Sequence, residues 1–68
     1  MPKLYDTVRL KKDNEELGVK ASYLGTIVDV LNGGEAYTIE FVDENGDSIE
    51  AALFAEFKPD EFDVVESI

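Results

Sequence analysis

Residues 24–47 read LGTIVDVLNGGEAYTIEFVDENGD, and the fold turns on this stretch. Leu24 to Leu31 is apolar and β-branched and is opened by Gly25. Asn32-Gly33-Gly34-Glu35 then gives a hairpin signal, because Asn and Gly tolerate the positive φ of tight hairpin turns. Ala36 to Val42 alternates with period two: Tyr37, Ile39 and Phe41 fall on one face, Thr38 and Glu40 on the other. Asp43-Glu44-Asn45-Gly46-Asp47 is a second hairpin loop, with Asn-Gly again supplying the turn.

Before this pair of strands, Tyr5 to Leu10 reads as a first strand, with Val8 and Leu10 on one face and Thr7 and Arg9 on the other. Lys11 to Tyr23 is a long polar connection whose only aliphatic anchors are Leu17 and Val19. Connections of that length in a small domain often carry function. After residue 47, Ser48 to Phe57 is strand-like, with Ile49, Leu53 and Phe57 available for burial. A helical reading of Ala51–Phe57 stands beside it, because Ala, Leu and Glu are good helix formers. Lys58-Pro59-Asp60-Glu61 breaks the segment with a single helical turn, and Phe62 to Val65 is a last short strand. Five short strands with tight turns in 68 residues mean a small barrel or sandwich. An immunoglobulin-type sandwich wants about 100 residues. The expectation is therefore one all-β domain over residues 1–68, a five-stranded SH3-like barrel with a short 3₁₀ turn at Pro59–Glu61 before the closing strand.

Composition excludes several function classes. There is no cysteine and no histidine, which removes thiolate metal sites, disulfides and the commonest general base. Ser22, Ser48 and Ser67 lack a histidine to activate them, and a carboxylate pair would need a cleft that so small a domain cannot enclose. No enzyme, no cofactor and no metal site is expected. In Asp43–Asp47 the glycine falls at loop position 4 and Phe54 at position 12, so the calcium-loop pattern fails. Gly33-Gly34 is followed by a strand rather than the helix a phosphate loop needs, and reads as a turn. The opening Met1-Pro2-Lys3-Leu4-Tyr5-Asp6 has no apolar signal region. The longest apolar run, Ala51 to Ala55, is far below the roughly 20 residues of a membrane span. A cytoplasmic monomer is the default expectation.

The charge is lopsided. Sixteen acidic and six basic side chains give a net charge of −10. Residues 1–20 balance five basic against four acidic groups, whereas residues 21–68 set Lys58 alone against twelve carboxylates. Such a field keeps a small domain soluble, and it also raises the encounter rate with a basic partner while repelling phosphate backbones. The candidate partner-binding residues are Glu40, Asp43, Glu44, Asp47 and Glu50, with Phe54 as an apolar anchor. Phe54 falls out of phase with Leu53 and Phe57, so it is the aromatic expected at the surface, whereas Tyr37, Phe41, Phe57 and Phe62 are expected in the core. Tyr5 and Tyr23 are expected at the rim. The leading reading is an acidic module that binds a basic protein. The alternative is a nucleic-acid-associated protein acting through Arg9, Lys11, Lys12 and Lys20, where Asp13, Glu15 and Glu16 nearly cancel the basic charge.

Three segments carry a resemblance: Leu4–Leu10 (LYDTVRL), Leu24–Val30 (LGTIVDV) and Ala36–Asp43 (AYTIEFVD). In their order and spacing, from about Leu4 to Val65, the chain resembles a small uncharacterised bacterial family of stand-alone domains of unknown function. The resemblance implies an SH3-like barrel similar to KOW domains, with Gly25-Thr26-Ile27-Val28 matching their glycine-then-aliphatic core. It implies a bacterial accessory or immunity/antitoxin-type protein and supplies no catalytic residue. KOW domains contact RNA or RNA polymerase through basic loops, and the corresponding loops here are acidic.

Overall fold

The structure, a computed structural model, describes residues 1–67. In chain order these form β1 (Thr7–Leu10), β2 (Gly25–Leu31), β3 (Ala36–Phe41), one helical turn α1 (Glu50–Leu53), a 3₁₀ turn (Pro59–Glu61) and β4 (Phe62–Glu66). The strands make a single antiparallel sheet in the order β3-β2-β1-β4. The fold is all-β apart from the short helical turns, but the sheet has four strands where five were expected.

The missing strand is Ser48–Phe57. Only its ends pair: Ser48 bridges Val42, and Phe57 bridges Tyr37. The middle coils into α1, and the backbone at Phe54 (φ −96°, ψ 2°) caps it. The reason lies in spacing. Ile49, Leu53 and Phe57 recur every four residues, the helical interval, whereas a half-buried strand requires every second residue. Glu50-Ala51-Ala52-Leu53 also has high helix propensity, and Ala52 is small enough to sit fully buried against β3.

The β2–β3 hairpin turns through Asn32, Gly33 and Gly34, all at positive φ. Along these strands the inward residues are Ile27, Tyr37, Ile39 and Phe41, all fully buried. Val8 and Leu10 of β1 and Phe62 of β4 join them, and Val19 and Phe57 complete the core. Gly25 sits opposite Phe41 in the ladder. A side chain there would lie 2.6 Å from the Ile39 Cγ2 and 2.7 Å from the Phe41 ring. The ring thus occupies the space that a β2 side chain would need.

Strands β3 and β4 are the outermost of the sheet, yet Tyr37 of β3 meets Phe62 of β4 edge-to-face at 5.4 Å. The sheet therefore curls until its two edges face each other across the core. Hydrogen bonds do not close the sheet; this ring contact is what joins its two outer strands. A second edge-to-face pair, Phe41 with Phe57 at 5.3 Å, seats the arch between α1 and the 3₁₀ turn.

The connection between β1 and β2 is more ordered than its length suggests. Asn14 and Val19 exchange backbone hydrogen bonds at 2.7 and 3.0 Å. The Asn14 Oδ1 accepts the Leu17 N–H at 3.0 Å, and the Asp13 Oδ1 accepts the Ala21 N–H at 2.8 Å. Leu17 and Val19 pack on the core, as their pattern indicates. At the chain ends, buried Asp6 accepts the Lys3 N–H and the Ser67 hydroxyl, both at 3.0 Å. Tyr5, just before it, has φ +72° and donates its N–H to the Ile27 carbonyl at 2.8 Å.

Two substitutions test this account. Gly25→Ala forces a methyl group into the Phe41 ring and should cost about 1–3 kcal/mol, the usual range for overpacking. Asp6→Ala removes the charged acceptor of the part-buried bonds from the Lys3 N–H and the Ser67 hydroxyl and should cost about 1.5–3 kcal/mol, the usual range for hydrogen bonds to charged groups. Urea unfolding midpoints check both, and an unchanged midpoint for Gly25→Ala would show that the ring is free to move aside.

Candidate functional site

The acidic residues singled out above lie along the end of β3, the hairpin after it, and α1. Glu40 is half-buried, and its Oε2 accepts the Ser48 hydroxyl at 2.8 Å. Asp43 is spent on the loop itself. Its Oδ1 accepts the Asn45 and Asp47 N–H groups at 2.9 and 3.0 Å, while its own N–H donates to the Asp47 carbonyl at 2.9 Å. Short polar side chains that bond their own backbone in this way fix turn geometry. The fold thus brings Glu40, Asp43 and Asp47 into one hydrogen-bonded hairpin, and of the three only Asp47 is fully exposed.

Glu44 projects from the same loop toward Tyr23 on the β1–β2 connection. The Tyr23 phenol donates to the Glu44 carboxylate, and this bond holds its pKa above the ordinary 10.0. Partial desolvation and the negative charges of Glu44, Asp43 and Asp13 push in the same direction. Each of these interactions favours the neutral phenol over the phenolate. A shallow hollow of about 240 Å³ lies here, with Arg9, Tyr23, Leu24, Val42, Asp43 and Glu44 on its walls. Arg9 brings a positive charge to the edge of the acidic hairpin.

Glu50 opens α1, exposed in its first turn, where a carboxylate suits the positive end of the peptide dipoles. Phe54 closes α1 one turn later and is 90% exposed. The side chain expected to be the surface aromatic is therefore the most exposed of the aromatic residues. Tyr37, Phe41, Phe57 and Phe62 are buried, while Tyr5 is exposed and Tyr23 half-buried.

The basic residues of the first connection do not form an open basic surface. The Lys11 Nζ stands 4.0 Å from the Asp63 Oδ1 of β4. Lys11 and Lys12 line a groove of about 670 Å³ between this connection and the 3₁₀ turn, and five carboxylates share it: Asp13, Glu15, Glu16, Asp60 and Glu61. Among the described residues, no cluster of three or more acidic side chains has the arrangement of a metal site.

Two features escaped the reading of the sequence. Asp6 is in phase with Val8 and Leu10, so period two already aims it inward, but an aspartate at a strand entrance does not announce a buried partner. The Tyr23–Glu44 contact joins residues 21 apart in sequence, and no local pattern encodes it.

The Tyr23 phenol is protected as a neutral donor, so its stabilising effect is present below pH 10 and is lost as pH rises through its elevated pKa. Titration of the tyrosines by absorbance or NMR should show Tyr23 ionising above the ordinary value. Glu44→Gln should bring that midpoint down, and an unmoved midpoint would remove the contact as its cause.

Residues 4–64 match the family described as a domain of unknown function (DUF4926). Neither the curated proteins nor the solved structures yield a match to the chain.

Proposed function

The chain belongs to the family described as a domain of unknown function (DUF4926), and on that premise we propose that it is a non-catalytic, acidic module that binds a basic protein. An accessory subunit or an immunity/antitoxin-type protein would work in this way, in a bacterial cytoplasm. The fold reading that accompanies it is an SH3-like, KOW-like barrel. It is supported by the long first connection, the curled sheet and the 3₁₀ turn that leads into β4.

The observation that carries the reading is Phe54. A phenylalanine 90% exposed forgoes about 1.5–3 kcal/mol of burial, and a small domain with a modest core has little reason to leave it out. Along the chain it lies between two acidic residues, Glu50 before it and Glu56 after it. Hot spots in protein interfaces are commonly aromatic groups ringed by polar ones. In this reading Phe54 enters a pocket on the partner, while Glu44, Asp47 and Glu50 steer a basic surface toward it. Glu40 and Asp43 hold the loop in shape.

The first step is capture of partners from lysate of the source organism at low and high salt, with mass spectrometry of what is retained. A basic protein lost at high salt supports the reading, and retained nucleic acid moves weight to Arg9, Lys11, Lys12 and Lys20. With the partner in hand, Glu44→Lys with Asp47→Lys should slow association and flatten its salt dependence while leaving the unfolding midpoint in place. Phe54→Ala should weaken binding by about tenfold or more without loss of stability. Binding unchanged in both variants would show that this face is not the site.

A further inference from the structure

The sheet has two edges, and the chain treats them differently. The β3 edge is covered. Phe57 exchanges hydrogen bonds with Tyr37 at 2.8 and 2.9 Å, Ile49 donates to the Phe41 carbonyl at 2.9 Å, and α1 packs over the strand. The β4 edge is open: β1 lies on one side, and no other strand or bridge among the described residues lies on the other. Lys11 donates its N–H to the Glu61 carbonyl at 2.9 Å. Because an antiparallel ladder alternates from such a pair, the backbone groups of Phe62 and Val64 turn away from β1 toward this open side.

The side chains there have a definite character. Val64 and Val65 are 40% and 47% exposed, a β-branched pair left half in water. Asp63 and Glu66 flank them, Asp60 and Glu61 precede them, and no basic side chain lies on the strand. Lys11 approaches Asp63 from just past the end of β1, but both groups are well exposed, so the contact is weak and exchangeable.

We propose that the open edge of β4 is a strand-addition site for an extended segment of another protein, one that alternates apolar residues with Lys or Arg. The main chain of the added segment would pair with β4, its apolar residues would line the face of Phe62 and Val64, and its cations the opposite face beside Asp63, with the charge of Glu66 adding to the attraction. Main-chain bonds supply affinity in such additions and side chains supply register. A second copy of this chain is disfavoured as the occupant. Two β4 strands paired about a two-fold axis would bring Asp63 and Glu66 of one copy to those of the other, and like charges across a strand pair are destabilising. The bulge between Val64 and Glu66 limits the site to a short segment. This surface is separate from the hairpin and Phe54 and does not depend on their role.

The test uses the full ¹⁵N-labelled chain and three ten-residue peptides with blocked ends. The first alternates lysine and valine, the second alternates glutamate and valine, and the third is the lysine peptide with alternate amides N-methylated. The lysine peptide should bind saturably, shift the amides of residues 62–66 and slow exchange of the Val64 N–H at least tenfold. The other two should do neither, and Asp63→Lys with Glu66→Lys should reverse the preference toward the glutamate peptide. Equal binding of the N-methylated peptide would reduce the effect to charge alone and overturn strand addition. So would shifts confined to residues 43–54, no saturable binding, or a free chain that sediments as a dimer with β4 already protected.

Discussion

The contact on which the molecule depends is the meeting of Tyr37 and Phe62. Four short strands laid flat would leave their apolar face half open, because a chain of this size has no second layer to spare. Curling the sheet until β3 and β4 touch makes one face its own cover. Everything inside follows from that closure. Val8, Ile27 and Ile39 fill the middle, Phe41 takes the space that Gly25 leaves empty, and Phe57 plugs the arch between α1 and the 3₁₀ turn. The closure rests on ring contacts rather than a continuous ladder, so the chain needs large aromatic groups at Tyr37 and Phe62 where a fully paired barrel could use smaller residues.

Curling the sheet in this way decides what is left for binding. Aromatic residues drawn inward cannot form a surface cage, and four of the seven are buried. Phe54 escapes at the C-terminal cap of α1, where its side chain is left exposed. The acidic groups divide in the same manner. Glu40 and Asp43 are absorbed by hydrogen bonds that shape the hairpin, whereas Glu44, Asp47 and Glu50 keep their charge at the surface. A net charge of −10 on so small a body then acts as a field as well as a set of contacts. It favours cationic partners over phosphate backbones at distances beyond any single pair.

The two sheet edges show a similar division. Covering β3 uses up the segment expected as a fifth strand, so the same residues that thicken one edge leave the other bare. Strand β4 has a bulge and flanking carboxylates, both common devices against unwanted pairing. Those carboxylates repel copies of this chain and attract basic segments, so one feature both guards the edge and selects what meets it.

Much of this was legible in the sequence. Alternation in Ala36–Val42 and the Asn-Gly turns placed the β2–β3 hairpin, and the same alternation named Tyr37, Ile39 and Phe41 as core. Pro59 after Lys58 marked the 3₁₀ turn, and the phase of Phe54 against its neighbours marked it as exposed. These are local properties, set by backbone sterics and side-chain period, and they survive in any context. The fate of Ser48–Phe57 was only partly local, since spacing and propensity favour the helical turn but do not place its paired ends. Its ends pair with Val42 and Tyr37 while its middle coils, and only the position of β3 decides where each behaviour begins. The burial of Asp6 with the Ser67 hydroxyl, the Tyr23–Glu44 bond and the meeting of Tyr37 with Phe62 join residues far apart in the chain. Composition alone determined that the protein is acidic and lacks cysteine and histidine chemistry. Tertiary structure alone decided which acids face water and which edge stays open, because burial and pairing are properties of the folded sheet and not of any strand by itself.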